Sequence, residues 1–427
     1  MTYENTLDFA RRLDAHDPLR AFRDRFHLPL GPTGQPGVYG CGNSLGLQPK
    51  AARAAVEAEF QSWEEHAVEG HFHGTSPWMH YHETLTDATA RLVGAKPVEV
   101  VVMNNLTTNL HLLLISFYRP AGGRYKLLME GGAFPSDQYA VESQVKLHGY
   151  APHDAIVELV PRAGEHTLRT EDIEAKIQEL GDSLALVMLG GVNYYTGQAF
   201  DMAAITRAGH AVGAKVGFDL AHAAGNLELH LHDWDVDFAC WCSYKYLNSG
   251  PGGTSGVFVH ERFANAPELP RLAGWWGHDP SDRFQMKKGF RPMAGAAGWQ
   301  LSNAQIFPMA IHRASLALFD EAGGMSVLRR KSEQLTGYLE WLLRELQLPA
   351  ERLEIITPSD PAQRGCQLSL LVRQRGRALF DYLASQGIVA DWREPNVVRL
   401  APVPLYNSFE DVWRIGQAVA TWANHPV

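Results

Sequence analysis

Between residues 98 and 259 the chain alternates short, mainly apolar runs with stretches of helical spacing. The runs cover 98–103, 126–129, 156–160, 184–189, 215–218, 238–242 and 256–259. Each is too short for a helix and shows no polar alternation, and most give way to Gly, Asn, Asp or Ser, which predicts strands buried on both faces. Between them 107–117, 171–180 and 203–212 repeat apolar residues at three- and four-residue steps and predict helices. Buried strands alternating with helices predict an α/β fold, a mostly parallel sheet with helices on both faces. The flanks read differently. Residues 1–30 predict a helical arm that stops at the Gly/Pro-rich loop 31–37, and 50 to about 70 predicts an amphipathic helix through Ala54, Val56, Phe60 and Trp63. After about residue 298, long helical patterns (308–322, 326–346) lead to short strands at 354–356, 367–372 and 397–400, a smaller α+β domain. The expected organisation is an arm over 1–45 packing with the small domain, a large domain over 46–305 and a small domain over 306–427.

Composition narrows the class of partner. The 427 residues are 45% hydrophobic and carry a formal net charge of −9, which argues against nucleic acid or an anionic membrane as a partner. No apolar stretch approaches the ~20 residues of a membrane span. The first twelve residues, with Glu4, Asp8, Arg11 and Arg12, lack the apolar core of a signal peptide. The four cysteines, Cys41, Cys240, Cys242 and Cys366, lack zinc-knuckle spacing and read as buried thiols of a cytoplasmic protein.

In an open α/β sheet, ligands sit at the carboxyl ends of the strands, so the residues just after the runs carry the candidate chemistry. Lys245 follows the 238–242 run within Ser243-Tyr244-Lys245-Tyr246-Leu247-Asn248. A lysine there is most often a surface charge; flanked by two tyrosines and a glycine-rich turn, it is also a candidate amine nucleophile for a carbonyl cofactor. Asp219 ends the 215–218 run. It is either a helix cap or the carboxylate that keeps a pyridine nitrogen protonated. His222, just beyond, could orient a ring or serve as an ordinary interior histidine. Thr107 and Thr108 open a helix whose free N–H groups suit a phosphate. Arg399 lies inside an apolar strand before a Pro-x-Pro turn, so it requires a partner, either a substrate carboxylate or an internal Asp or Glu. The cluster His66, His71, His73, His80 and His82 lacks regular ligand spacing, and no metal is assigned to it.

Taken together these segments resemble kynureninase, in the class V branch of the fold-type-I pyridoxal-phosphate enzymes. The resemblance runs from about residue 39 to 410. It rests on Gly42-Asn43-Ser44-Leu45-Gly46-Leu47-Gln48-Pro49-Lys50, Leu106-Thr107, Phe134-Pro135-Ser136-Asp137, Asp219-Leu220-Ala221-His222, Ser243 to Asn248, Gly274-Trp275, Ser302-Asn303 and Arg399 with the Ala-Pro-Val-Pro-Leu-Tyr-Asn-Ser-Phe stretch after it. It implies a fold-type-I transferase-like architecture and a hydrolase that cleaves the Cβ–Cγ bond of kynurenine or 3-hydroxykynurenine, giving an anthranilate and alanine in tryptophan catabolism and NAD biosynthesis. Lys245 would carry pyridoxal phosphate, Asp219 would pair with its ring nitrogen, and Phe134 would cover the ring. Leu106, Thr107, Tyr244 and Trp275 would surround the phosphate, with Pro135, Ser136 and Asn303 also at the cofactor. Asp137 and His222 would orient ring substituents, and Tyr244 would donate a proton. Arg399 would take the substrate carboxylate, and Ser44, His71 (or His73), Ser302 and Asn303 would line the substrate pocket. The pair His71 and Asn303 favours the ring-hydroxylated substrate. The family implies a homodimer with the site at the subunit interface. The rival readings are a cysteine desulfurase, which needs a reactive loop cysteine, an aminotransferase, and a non-catalytic metal- or ligand-binding protein.

Overall fold

The computed structural model describes residues 2–424. Its centre is a seven-stranded sheet made of β1 (Val100–Met103), β2 (Lys126–Glu130), β3 (Ile156–Leu159), β4 (Leu184–Gly190), β5 (Lys215–Asp219), β6 (Phe238–Trp241) and β7 (Ser255–Val259), in the order β1-β7-β6-β5-β4-β2-β3. Every apolar run between 98 and 259 is a strand. The β3–β2, β2–β4, β4–β5 and β5–β6 pairs are parallel, and β7 runs antiparallel to both β6 and β1. The carboxyl ends of β1, β2, β4, β5 and β6 therefore share one edge, and the segments that follow them converge there.

Runs without polar alternation are accounted for by helices on both faces. Val187, Leu189, Val216 and Phe218 belong to one apolar core, with Ile173, Ile177 and Ile205 of the crossover helices. Their neighbours Leu186, Met188, Phe238 and Cys240 belong to the other, with Leu110 and Leu113 of helix Leu106–Phe117 and Val141 of helix Pro135–Leu147.

The small domain is a four-stranded antiparallel sheet ordered Asp391–Arg393, Val397–Leu400, Leu368–Leu371, Glu354–Ile355. Its core joins Leu335, Leu339 and Leu342 of helix Met325–Arg344 to Val412, Ile415 and Val419 of helix Phe409–Asn424, and also to Phe9 and Ala10. Helix Ile306–Glu321 instead packs its Met309, Leu316 and Phe319 into the large core, as do Met325 and Leu328. We therefore propose that the division falls inside helix Met325–Arg344 rather than before residue 306.

The arm is not one helix. It is Leu7–His16 followed by a 3-10 turn, Arg20–Arg25. Asp17 precedes Pro18 and is extended (φ −76°, ψ 115°), as steric conflict with the proline ring requires. The break is used: Lys331, buried, reaches Asp17 at 2.7 Å and the Pro404 carbonyl at 2.7 Å, tying the arm to the Pro-x-Pro turn after Arg399. Likewise the 50–70 helix ends at His66, where Ala67 turns to φ 47° and a 3-10 segment, Ala67–His71, begins. Among the described residues no helix is long and apolar enough to cross a membrane.

Candidate active site

At the shared strand edge lies a cavity of about 170 Å3. Leu106, Thr107, Phe134, Ser136, Asp137, Asp219, His222, Tyr244 and Lys245 all line it, with Asn105, Glu130, Val192 and Tyr194. The larger cleft elsewhere on the chain is lined by none of the residues singled out from the sequence.

The lysine loop is held by its neighbours. Asn248 takes the left-handed region (φ 51°), which asparagine tolerates better than most residues, and its amide donates to the Tyr246 carbonyl at 3.0 Å. Gly46 donates its N–H to the Tyr244 carbonyl at 2.8 Å, and a Cβ at 46 would collide with the Lys245 carbonyl oxygen. Glycine is thus what lets the 42–50 segment lie against this loop. Lys245 Nζ sits 3.0 Å from His222 Nε2 and 5.8 Å from the centre of the Phe134 ring. Burial, then the Lys245 charge, holds His222 well below the usual imidazole range. An ammonium only donates, so Nε2 accepts and Nδ1 carries the hydrogen. That Nδ1 is buried without a partner.

Asp219 is 6% exposed and accepts the Ala221 N–H at 2.7 Å. No regular helix follows it, so it caps a turn. Its carboxyl is hydrogen-bonded to that of Asp137. Burial pushes both above the ordinary carboxylate range, Asp137 furthest because Asp219 lies beside it. Two carboxyls so joined share a proton. Burial also pushes the Tyr244 phenol up, keeping it a donor.

Two helix N-termini meet at the other end of the cavity. Asn105 caps Leu106–Phe117, its Oδ1 accepting from Thr108 N at 3.1 Å. Pro135, exposed and not in the cavity wall, opens Pro135–Leu147. Thr107 Oγ1 and Ser136 Oγ bridge the two helices at 2.9 Å. Converging first turns with hydroxyls suit a phosphate. Phe134, its ring edge-on to Tyr194 at 5.3 Å, supplies a flat wall.

Arg399 lies behind Tyr194, fully buried. It donates to the Tyr194 carbonyl at 2.5 Å, to Asp391 at 2.7 Å and to Ser44 Oγ at 3.3 Å, while its Nε has no partner. The internal carboxylate is thus present, and one edge of the guanidinium remains for another. Ser44 donates to the same Asp391 oxygen.

Neither Arg399 nor Ser44 lines the cavity, and the remaining candidates also lie outside it. His71 contacts the Val68 carbonyl at 3.0 Å and stands edge-on to Trp78; His73 faces Glu69. Trp275 is 44% exposed and packs on Phe284, and Ser302 and Asn303 are exposed. Among the described residues one trio could offer metal ligands, Glu99, His232 and His260, outside the histidine-rich segment. Its groups are already hydrogen-bonded: His232 to Glu99, Glu99 to the N–H groups of Lys96 and Glu261, and His260 Nδ1 to the N–H of Arg262.

Comparison with known proteins fits this arrangement. The family model described as the kynureninase C-terminal domain matches residues 328–419. The kynureninase of Myxococcus xanthus is 60% identical over 412 residues, 96% of each chain, and that of Koribacter versatilis 59% over 415 residues, 97% of each. In fold, the chain matches the cysteine desulfurase of Thermococcus onnurineus (TM-score 0.74, 18% identity, 90% of this chain and 94% of that one). It also matches a variant of C-DES with glycine covalently linked to its PLP cofactor (TM-score 0.74, 18% identity, 92% and 98%). Identity at this level, end to end, means that the chain belongs to the kynureninase family.

Proposed function

We propose that this chain is a pyridoxal-phosphate-dependent kynureninase that hydrolyses the Cβ–Cγ bond of kynurenine or 3-hydroxykynurenine to an anthranilate and alanine. The observation that carries the reading is the meeting, around one cavity, of a primary amine, a buried carboxyl pair and two helix N-termini bridged by hydroxyls. Those groups match a carbonyl, a ring nitrogen and a phosphate. When bound, the cofactor supplies an electron sink that stabilises negative charge at the substrate's Cα and Cβ.

This chain's own residues do the rest. The Asp219–Asp137 pair holds a proton at the ring nitrogen. Lys245 Nζ takes the Cα proton and returns it, its orientation set by His222. Thr107, Ser136 and the Leu106 amide hold the phosphate, and Phe134 shields one face from water. Cleavage consumes one water, whose oxygen enters the anthranilate carboxylate while a proton ends on the alanine Cβ. The Tyr244 phenol is the donor for that proton. Arg399 takes the substrate carboxylate on its open edge beside Ser44. Trp275, Ser302 and Asn303 are exposed and His71 is half-buried, and Trp63, Phe72, Phe284 and Met286 are exposed as well. We assign them to the contact with a second copy, so that a homodimer completes the site. A desulfurase reading is opposed by Cys366, which is 1% exposed, with its thiol pushed up to about 12 by burial.

Incubation with each substrate tests this. Fluorescent anthranilates and alanine are expected without an added keto acid, with kcat/KM higher for 3-hydroxykynurenine. A strong preference for kynurenine would remove the specificity role of His71 and Asn303. Arg399→Lys is expected to raise KM by roughly 10- to 100-fold with kcat changed only a fewfold, since lysine keeps the charge but loses the planar fork.

A further inference from the structure

β2 ends on Glu130, whose side chain lines the cavity alongside Asp137 and Asp219 yet has no part in the chemistry above. It is 4% exposed. Its neighbour Asn193 is locked in orientation: Asn193 Oδ1 accepts from Tyr195 N (3.0 Å), Thr196 N (2.9 Å) and Thr196 Oγ1 (3.1 Å). Only the Asn193 amide hydrogens are left to face Glu130, and they favour its charged form. The other carboxyl oxygen, Oε2, is buried without a partner. Residue 190, on the adjoining β4, is glycine, and a Cβ there would crowd Glu130 Oε1 at 3.2 Å. The pocket thus makes room for this acid and leaves one of its oxygens unpaired.

Taking the cavity as the cofactor site, we infer that Glu130 is a positioning residue that stays protonated beside the Asp137–Asp219 pair, so that a single negative charge, carried by that pair, faces the ring nitrogen. Three neighbouring carboxyls in a dry pocket cannot all ionise. Asp219 has the Ala221 N–H and the Lys245 charge on its side. Glu130 has only Asn193, and burial, with Asp219 next, pushes it up to about 7. The charged or titratable groups that share the cavity with Glu130 are Asp219 from β5, Asp137 from helix Pro135–Leu147, Tyr194 from the loop after β4, and His222, Tyr244 and Lys245 from the segments after β5 and β6. Asp137 is relieved by sharing its proton with Asp219, whereas Glu130 stands outside that pair with Asn193 alone to stabilise a charge, and its proton gives Oε2 a donor to aim into the pocket.

The test is direct binding of pyridoxal phosphate to the full-length wild type, Glu130→Gln and Glu130→Ala at about pH 6, followed by the cofactor's absorbance. Glutamine has the shape and hydrogen-bonding of a neutral acid, so Glu130→Gln is expected to keep the wild-type absorbance maximum and a Kd within about threefold. Alanine abandons Asn193 and the pocket, so Glu130→Ala should weaken binding by about tenfold. If glutamine weakens binding tenfold or more, Glu130 is ionised and the inference fails. If alanine binds like wild type, it has no positioning role. Wild type that binds no pyridoxal phosphate would instead overturn the cofactor reading itself.

Discussion

Replacing Lys245 with alanine is expected to lower turnover by on the order of 10^4-fold or more and to abolish covalent attachment of the cofactor. Two losses combine. The Nζ that exchanges a proton with the substrate disappears, a contribution of roughly 10^2- to 10^4-fold, and so does the amine that holds the cofactor's carbonyl carbon. Effects of groups acting as one unit do not add simply, so the loss is read as a whole. The surroundings should survive: the loop is fixed by Gly46, Asn248 and Tyr246 through backbone contacts that do not involve Nζ. Borohydride treatment followed by peptide mass spectrometry should label Lys245 in wild type and nothing in the variant. Turnover within tenfold of wild type would remove Lys245 from the mechanism.

Lys245 and Asp219 are legible in the sequence because each lies at or just past the end of an apolar run, and in a parallel sheet such positions share one edge. Other residues gave no such signal. Glu130 also ends a strand, but a single acid after an apolar run reads as the point where a strand meets water. Tyr194 stands in a Gly/Asn/Thr loop without periodicity. Asp391, the internal partner of Arg399, lies on a strand of three residues, too short to show alternation. The strands Val38–Tyr39 and Ile388–Val389 escape for the same reason. Helix Pro135–Leu147 was hidden for a different one: its buried residues, Ala140, Val141, Gln144 and Val145, form a narrow stripe that includes a glutamine. His71, Trp275, Ser302 and Asn303 are plain in the motif pattern yet stand outside the cavity of one chain. If the proposed homodimer holds, they serve the neighbouring subunit's site, and nothing local to a sequence distinguishes such a residue from one that serves its own.

Asp219→Asn is expected to cost roughly 10^2- to 10^4-fold in kcat while the chain still folds. Asparagine fills the same space, and its side-chain oxygen can still accept the Ala221 N–H that now reaches Asp219 at 2.7 Å. What it cannot do is balance a positive ring nitrogen. A buried cation deprived of its carboxylate loses about 3–5 kcal/mol, and each 1.4 kcal/mol is a tenfold change in rate. The ring nitrogen should then give up its proton and the ring its capacity to absorb electrons. Asp137→Asn is the informative control. It leaves Asp219 its backbone anchor and the Lys245 charge and removes only the second carboxyl of the pair, so a loss of about tenfold is expected. Cofactor absorbance separates the two, since Asp219→Asn should shift the bound chromophore and Asp137→Asn should leave it near its wild-type position. Equal losses in both variants would mean that the carboxyls act as one indivisible unit, and the assignment of the ring nitrogen to Asp219 would fall.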